Sequence, residues 1–298
     1  MSNINVDFQH LAITGGGFKG IFVIGALRYL DDIGYLKRFK SYSGTSIGAV
    51  ICFLITIGFT INELESLFTK LEAKKFFDIK IDTFLTEYGL CATGPLSMLF
   101  QSCGIQKDIP KDCTFEKHYE MTGKFLQITG SNLNTTSLEL FSYKTTPNMC
   151  VYKALEITIA YPFVFKPVSY NGFLYGDGGL SLNTPINISP EPKKTLVLSL
   201  SINKNKVCNN LMEYVKMLTS FIVMDNKTYE KYKNNYISLS FTKSLTFNLS
   251  LTDEEKNKMV ENGYNKTFHF FNEKLSNYYH LKLIRKCFNS WLLLRKSS

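Results

Sequence analysis

Apolar and polar positions near the N-terminus predict two strand–helix pairs in succession. Val6 to Ile13 reads as a strand, with Phe8, Leu11 and Ile13 apolar. Three glycines follow, and the apolar stretch from about Gly20 to Tyr29 predicts a buried helix. Phe39 to Ser43 predicts a second short strand, and the almost wholly apolar run Ile47 to Phe59 a second buried helix. That run falls short of the ~18 apolar residues expected of a membrane span.

In the C-terminal third, Asn209 to Lys231 and Asp253 to about Lys274 have helical patterns. The second opens on Thr252-Asp253-Glu254-Glu255, a capping box in which threonine and glutamate satisfy each other's backbone N–H groups. Tyr236 to Phe241 and Ser244 to Leu251 alternate apolar and polar residues and read as strands. From Ser276 to Ser298 there is no acidic residue, while Lys282, Arg285, Lys286, Arg295 and Lys296 are basic. At helical spacing Leu281, Ile284, Phe288, Trp291 and Leu292 share one face. Such a tail suits a membrane surface, where each basic residue contributes roughly 1 kcal/mol near an anionic leaflet. A terminal helix packed on the domain explains the same pattern.

Composition narrows the class. The chain of 298 residues has no Pro/Ser-rich linker, internal repeat or low-complexity tract, so one domain over 1–275 followed by the tail 276–298 is the simplest organisation. Seven cysteines, an odd number without C-x-x-C, argue against a disulfide framework and a zinc site. Met1 to Asp7 carries no basic n-region or long apolar run, so a cytoplasmic protein in peripheral contact with membranes is expected. The net charge of +9 points to an anionic partner. A nucleic-acid partner is not expected, because zinc-finger spacing, an RNA-recognition signature and a basic strip with interleaved aromatics are all missing.

The chemistry-bearing residues fall in three short motifs. Gly44-Thr45-Ser46-Ile47-Gly48 is a G-x-S-x-G elbow between the second strand and its helix. Such a turn exposes the serine hydroxyl, and Gly44 and Gly48 let the backbones approach. The helix start also directs positive dipole at that hydroxyl. Gly15-Gly16-Gly17-Phe18-Lys19-Gly20 follows the first strand and opens a helix, and its free N–H groups form a nest for negative charge. The anion is a phosphate or the oxyanion of an acyl-transfer intermediate. The phosphate reading fits poorly, since the loop lacks G-x-x-x-x-G-K-[ST] and an acidic residue about 20 residues on. The third motif is Gly176-Asp177-Gly178-Gly179. A triad needs a histidine, yet none of His10, His118, His269 and His280 lies in a loop that looks catalytic.

Glycine loop, elbow and D-G-G in this order resemble the patatin-like phospholipase family. Tyr161-Pro162-Phe163-Val164-Phe165-Lys166-Pro167, Gly178 to Pro185, Gly89 to Leu96 and Ile128 to Leu133 resemble further family blocks. The resemblance implies an α/β fold, a three-layer α/β/α sandwich with a mainly parallel sheet. It implies a Ser–Asp dyad, with Ser46 as nucleophile and Asp177 as base, and an oxyanion hole from Gly15, Gly16 and Gly17. Gly44, Gly48, Gly20, Gly178 and Gly179 would support the loops, and Gly16 is expected to need open backbone angles. Lys19 stands where the family has a basic residue, often arginine, whose flat fork lysine does not reproduce. Ile157-Thr158-Ile159-Ala160 replaces a small serine- and alanine-rich run, which reshapes the expected acyl pocket.

The function implied is hydrolysis of fatty acyl esters in phospholipids or other acyl-ester lipids, with no metal or other cofactor. Two rivals remain at this level: a small-ester hydrolase or acyltransferase on the same dyad, and a catalytically silent lipid-binding protein.

Overall fold

The computed structural model describes residues 7–72, 84–200, 226–239 and 251–296, and the isolated positions 80, 82, 214 and 217. Side chains of the last helix are described as far as Lys274. Most of the expected 209–231 helix and the expected 244–251 strand lie outside these residues; a short helix at Asn226–Tyr232 is described.

Among the described residues the main sheet holds eight strands, and a separate pair holds two. In chain order the strands are β1 (His10–Ile13), β2 (Ser41–Gly44), β3 (Gly89–Cys91), β4 (Phe125–Asn132), β5 (Ser137–Phe141), β6 (Phe163–Phe165), β7 (Val168–Tyr170), β8 (Phe173–Asp177), β9 (Thr195–Ser199) and β10 (Tyr236–Ser238). The helices before β8 are α1 (Gly20–Asp32), α2 (Ile47–Thr56), α3 (Ile61–Lys70), α4 (Phe84–Glu87), α5 (Gly94–Ile105), α6 (Phe115–Thr122) and α7 (Val151–Thr158). A C-terminal helix spans Asp253–Lys296.

β10, β9, β1, β2 and β4 run parallel, in that order. β5 and β8 pair with β4 antiparallel, and β7 pairs with β8 antiparallel. The fold is thus an α/β sandwich whose sheet is mixed rather than parallel throughout, because β4 turns back through a hairpin into β5. Fully buried Leu11, Ile13, Leu126, Ile128, Leu196 and Leu198 line the parallel strands, as covered faces require.

The long strand β4 organises the site. Ile128 is bridged by both Gly44 and Phe141, and Gly130 by both Asp177 and Glu139. A strand residue has one partner on each edge, so β5 occupies one edge of β4, and β2 and β8 share the other. The ends of β2 and β8 therefore meet within two residues of β4.

Several expected boundaries moved. The first strand begins at His10 rather than Val6, although Gln9 N–H donates to the Lys194 carbonyl at 2.9 Å. The strand from Tyr236 is regular to Ser238. The Thr252 capping box is formed, with Glu255 N–H donating to Thr252 Oγ1 at 3.2 Å and Thr252 N–H to Glu255 Oε2 at 3.0 Å. The helix it starts does not stop near Lys274 but runs on to Lys296, so the tail continues the helix without a break.

That helix crosses α1 at two facing glycines. A Cβ on Gly25 would overlap the Val260 carbonyl oxygen, and one on Gly263 the Phe22 carbonyl oxygen. Tyr29 then meets Tyr264 edge-on, with ring centroids 5.4 Å apart. Overpacking of such a contact costs about 1–3 kcal/mol. Gly25→Ala should lower stability to urea by about that amount despite alanine's better helix propensity. Gly94→Ala, with open space around its Cβ, should be neutral or slightly stabilising. Equal unfolding midpoints for the two variants would contradict the close crossing.

Candidate active site

Ser46 sits between β2 and α2 with φ 53° and ψ −129°, a left-handed backbone unusual for a residue with a Cβ. The flanking glycines are sterically required. A Cβ on Gly44 would lie 2.5 Å from the Ala49 nitrogen, and one on Gly48 would overlap the Ile13 carbonyl oxygen. The turn is pinned from three sides. Ser46 N–H donates to Thr158 Oγ1 at 2.9 Å, Thr45 N–H to the Ile13 carbonyl at 3.2 Å, and Thr45 Oγ1 to the Leu182 carbonyl at 2.9 Å. Thr45 Oγ1 also bonds Thr129 Oγ1 at 2.8 Å, tying the elbow to β4.

The glycine loop lies against the elbow. A Cβ on Gly15 would sit 3.2 Å from Ser46 Cβ, and one on Gly20 2.8 Å from Ile47 Cγ1. The expectation of open backbone angles fails at Gly16, whose φ of 175° is extended; Leu200 crowds it instead, 2.6 Å from where a Cβ would be. The left-handed position is Gly17, with φ 57°. Among the described residues, none accepts a hydrogen bond from the N–H groups of Gly15, Gly16, Gly17 or Ile47. Lys19 closes the short 3-10 turn Gly17–Lys19 and is buried.

Asp177 ends β8 and is 3% exposed. Its side chain lies within interaction range of the Ser46 side chain. Its Oδ1 also accepts from Gly179 N–H at 2.6 Å, and its own carbonyl accepts from Ser131 Oγ at 2.8 Å. Gly178 and Gly179 allow this turn, since a Cβ on Gly178 would overlap Thr129 Oγ1 and one on Gly179 would lie 2.9 Å from Asp177 Oδ1. Burial pushes the Asp177 carboxyl up to about 7, against the nearby Ser46 side chain and the Gly179 N–H, which pull it down.

His10 and His118 are occupied elsewhere. His10 Nδ1 bonds Ser41 Oγ at 2.6 Å at the start of β1. His118 Nε2 bonds Thr56 Oγ1 at 2.9 Å, and burial pushes its imidazole down to about 4. His269 is on the exposed side of the C-terminal helix, and the side chain of His280 is outside the described residues. Among the described residues, no group of three His, Cys, Asp or Glu side chains converges as metal ligands would.

Three contributors were not singled out from sequence. The Ile47 N–H follows the serine at the start of α2, the place an elbow uses for one oxyanion donor. Thr158 registered only as added bulk, yet its hydroxyl holds the elbow amide. Asn183 places Oδ1 between the glycine loop and the D-G-G turn, 2.6 Å and 3.2 Å from where Cβ atoms on Gly15 and Gly179 would be. The elbow pattern itself signals Ile47, whereas the other two depend on long-range folding.

A family model for "Patatin-like phospholipase" matches residues 11–189. The chain belongs to the patatin-like phospholipase family. It is 28% identical over 262 residues to "Probable lipid hydrolase 463L" of Invertebrate iridescent virus 6, covering 86% of each chain. It is 30% identical over 281 residues to "Uncharacterized protein R571" of Acanthamoeba polyphaga mimivirus, covering 84% of this chain and 89% of that one. The fold is similar to that of VipD from Legionella pneumophila, with TM-score 0.68 and 15% identity over 90% of this chain and 67% of VipD. ExoU of Pseudomonas aeruginosa matches with TM-score 0.57 and 16% identity, and this chain covers 53% of its length.

The raised Asp177 carboxyl has a consequence for stability. Between the unfolded value near 4 and the folded value of about 7, the folded state holds a proton that the unfolded state has lost. Stability therefore falls as pH rises through that window and levels off above it. Asp177→Asn removes this penalty. The variant should gain stability over the parent as pH rises from about 4 to 7, and hold the gain above that. Thermal melts of both proteins from pH 4 to 9 test this, and a constant difference across the range would contradict it.

Proposed function

We propose that the chain is a phospholipase A-type lipid acyl hydrolase working through a Ser46–Asp177 dyad. The observation that carries this reading is a buried aspartate brought within interaction range of a strained elbow serine. Serine is a poor nucleophile until a base takes its proton. A carboxyl titrating at about 7 is matched to that task near neutral pH.

In this mechanism Ser46 Oγ attacks the ester carbonyl carbon while Asp177 takes the hydroxyl proton. The N–H groups of the glycine loop, Gly15 to Gly17, and of Ile47 receive the developing oxyanion. The tetrahedral intermediate collapses, Asp177 returns the proton to the leaving alcohol, and the acyl group stays on Ser46. Water, deprotonated by Asp177, then releases the fatty acid. The positive end of α2 favours each anionic species at Ser46.

Ser46→Ala and Asp177→Asn should each abolish lipid hydrolysis in a folded protein, and Ser46→Ala should abolish labelling by a fluorophosphonate. His10→Asn, His118→Gln, His269→Ala and His280→Ala should each keep most of the turnover. The parent's kcat/KM on a soluble ester should rise on a limb centred near pH 7, as Asp177 loses its proton. A histidine variant as inactive as Ser46→Ala would replace the dyad by a triad.

The tail belongs to the same reading as a peripheral membrane anchor, on the strength of its five basic residues and its apolar face. No helix of the described residues is long and apolar enough to cross a membrane. Deletion from Ser276 onward should weaken sedimentation with anionic vesicles, as should added salt on the intact protein, while soluble-ester turnover survives. Vesicle binding indifferent to both would rule the anchor out.

A further inference from the structure

A second concavity opens on the face of the sheet that carries Asp177. Gly130, Asp177 and Glu139 form one row across β4, β8 and β5, so their side chains point to the same face. Phe141, Tyr175 and Phe173 lie an even number of residues along these strands and share it. With Tyr170, which pairs with Phe173, they line a groove of about 420 Å³ that includes Glu139. Phe141 packs over Gly130, 2.5 Å from where a Cβ would be, and forms the wall between groove and dyad.

The groove has the chemistry of a cation site. Tyr175 and Phe141 meet at 6.2 Å and 63°, and Tyr170 and Tyr175 at 6.4 Å and 59°, so ring faces turn in different directions around it. Glu139 is half-buried, held by Asn132 Nδ2 at 2.7 Å and Tyr175 OH at 3.1 Å. Among the described residues no lysine, arginine or histidine pairs with it, in a chain of net charge +9. An unpaired carboxylate beside aromatic faces attracts an organic ammonium group, by charge and by the ring quadrupoles. Among the described residues no cluster of three His, Cys, Asp or Glu side chains forms there, as a site for a divalent cation would use.

We propose that this groove is the subsite for the ammonium head group, choline or ethanolamine, of the lipid whose ester is cut at Ser46. This rests on the hydrolase reading above. β5 and β8 flank β4, so the backbones at Glu139 and Asp177 are roughly 10 Å apart. A glycerol–phosphate–alkylammonium bridge spans such a separation. The groove would thus place the head group on one side of Phe141 and the ester on the other.

Two measurements test this. In the first, phosphocholine and glycerol 3-phosphate are titrated into the folded Ser46→Ala protein and followed by calorimetry. Phosphocholine should bind and glycerol 3-phosphate should not, and Glu139→Gln and Phe173→Ala should each weaken phosphocholine binding about tenfold or more. Phe173 is exposed at the rim, so its variant keeps the test valid if Glu139→Gln misfolds. In the second, the active protein hydrolyses phosphatidylcholine and phosphatidylglycerol in matched micelles. Both groove variants should lower the phosphatidylcholine rate selectively. Phosphocholine binding that is undetectable, or unchanged in the variants, would overturn the proposal. Binding that responds to the variants while lipid selectivity does not would assign the groove to a free ammonium compound and overturn the head-group role. Binding without any lipid hydrolysis would instead refute the hydrolase reading.

Discussion

The approach of Asp177 to Ser46 depends on the register of one strand. β4 pairs with the end of β2 at Ile128 and with the end of β8 at Gly130, on the same edge. Sliding β8 by one residue would turn Asp177 to the opposite face of the sheet. The tight contacts around the site hold that register. Thr129 receives Thr45 through a hydroxyl pair and leaves no room for a side chain at Gly178, while Ser131 Oγ donates to the Asp177 carbonyl. The strained Ser46 backbone is a cost of order 1–3 kcal/mol, offset by the hydrogen bonds at Thr45 and Thr158.

Burial sets the chemistry of that contact. In water an aspartate is a weak base at neutral pH, because its conjugate acid has a pKa of only about 4. Removal from solvent disfavours the charged form and brings the carboxyl to about 7. The same burial makes the ionised side chain a burden on the fold, so the base that the proposed reaction needs is expensive to hold. Sites of this kind commonly trade stability for function.

The local features were legible in the sequence. The elbow at Gly44–Gly48, the glycine loop and the Thr252 capping box each follow from residue types a few positions apart, and the structure forms all three. The meeting of Ser46 and Asp177 is a contact between distant parts of the chain, and only the family resemblance pointed to it. Pairings set by tertiary structure were less visible. The antiparallel end of the sheet depends on the β4–β5 hairpin, and nothing in the β2 or β8 segments encodes which edge of β4 they share. Thr158 looked like bulk because its partner, the Ser46 amide, lies 112 residues away. The continuous C-terminal helix was read as two parts because its polarity changes near Ser276, although no helix-breaking residue stands there.

The dyad mechanism requires that the acyl group pass through Ser46. Acid quenching of the protein during turnover of a slow lipid ester, followed by peptide mass mapping, tests this most directly. The account predicts a single acyl group on Ser46 in the parent and none in Asp177→Asn. Sustained turnover with Ser46 unmodified at every quench time, or an acyl group on another residue, would contradict it.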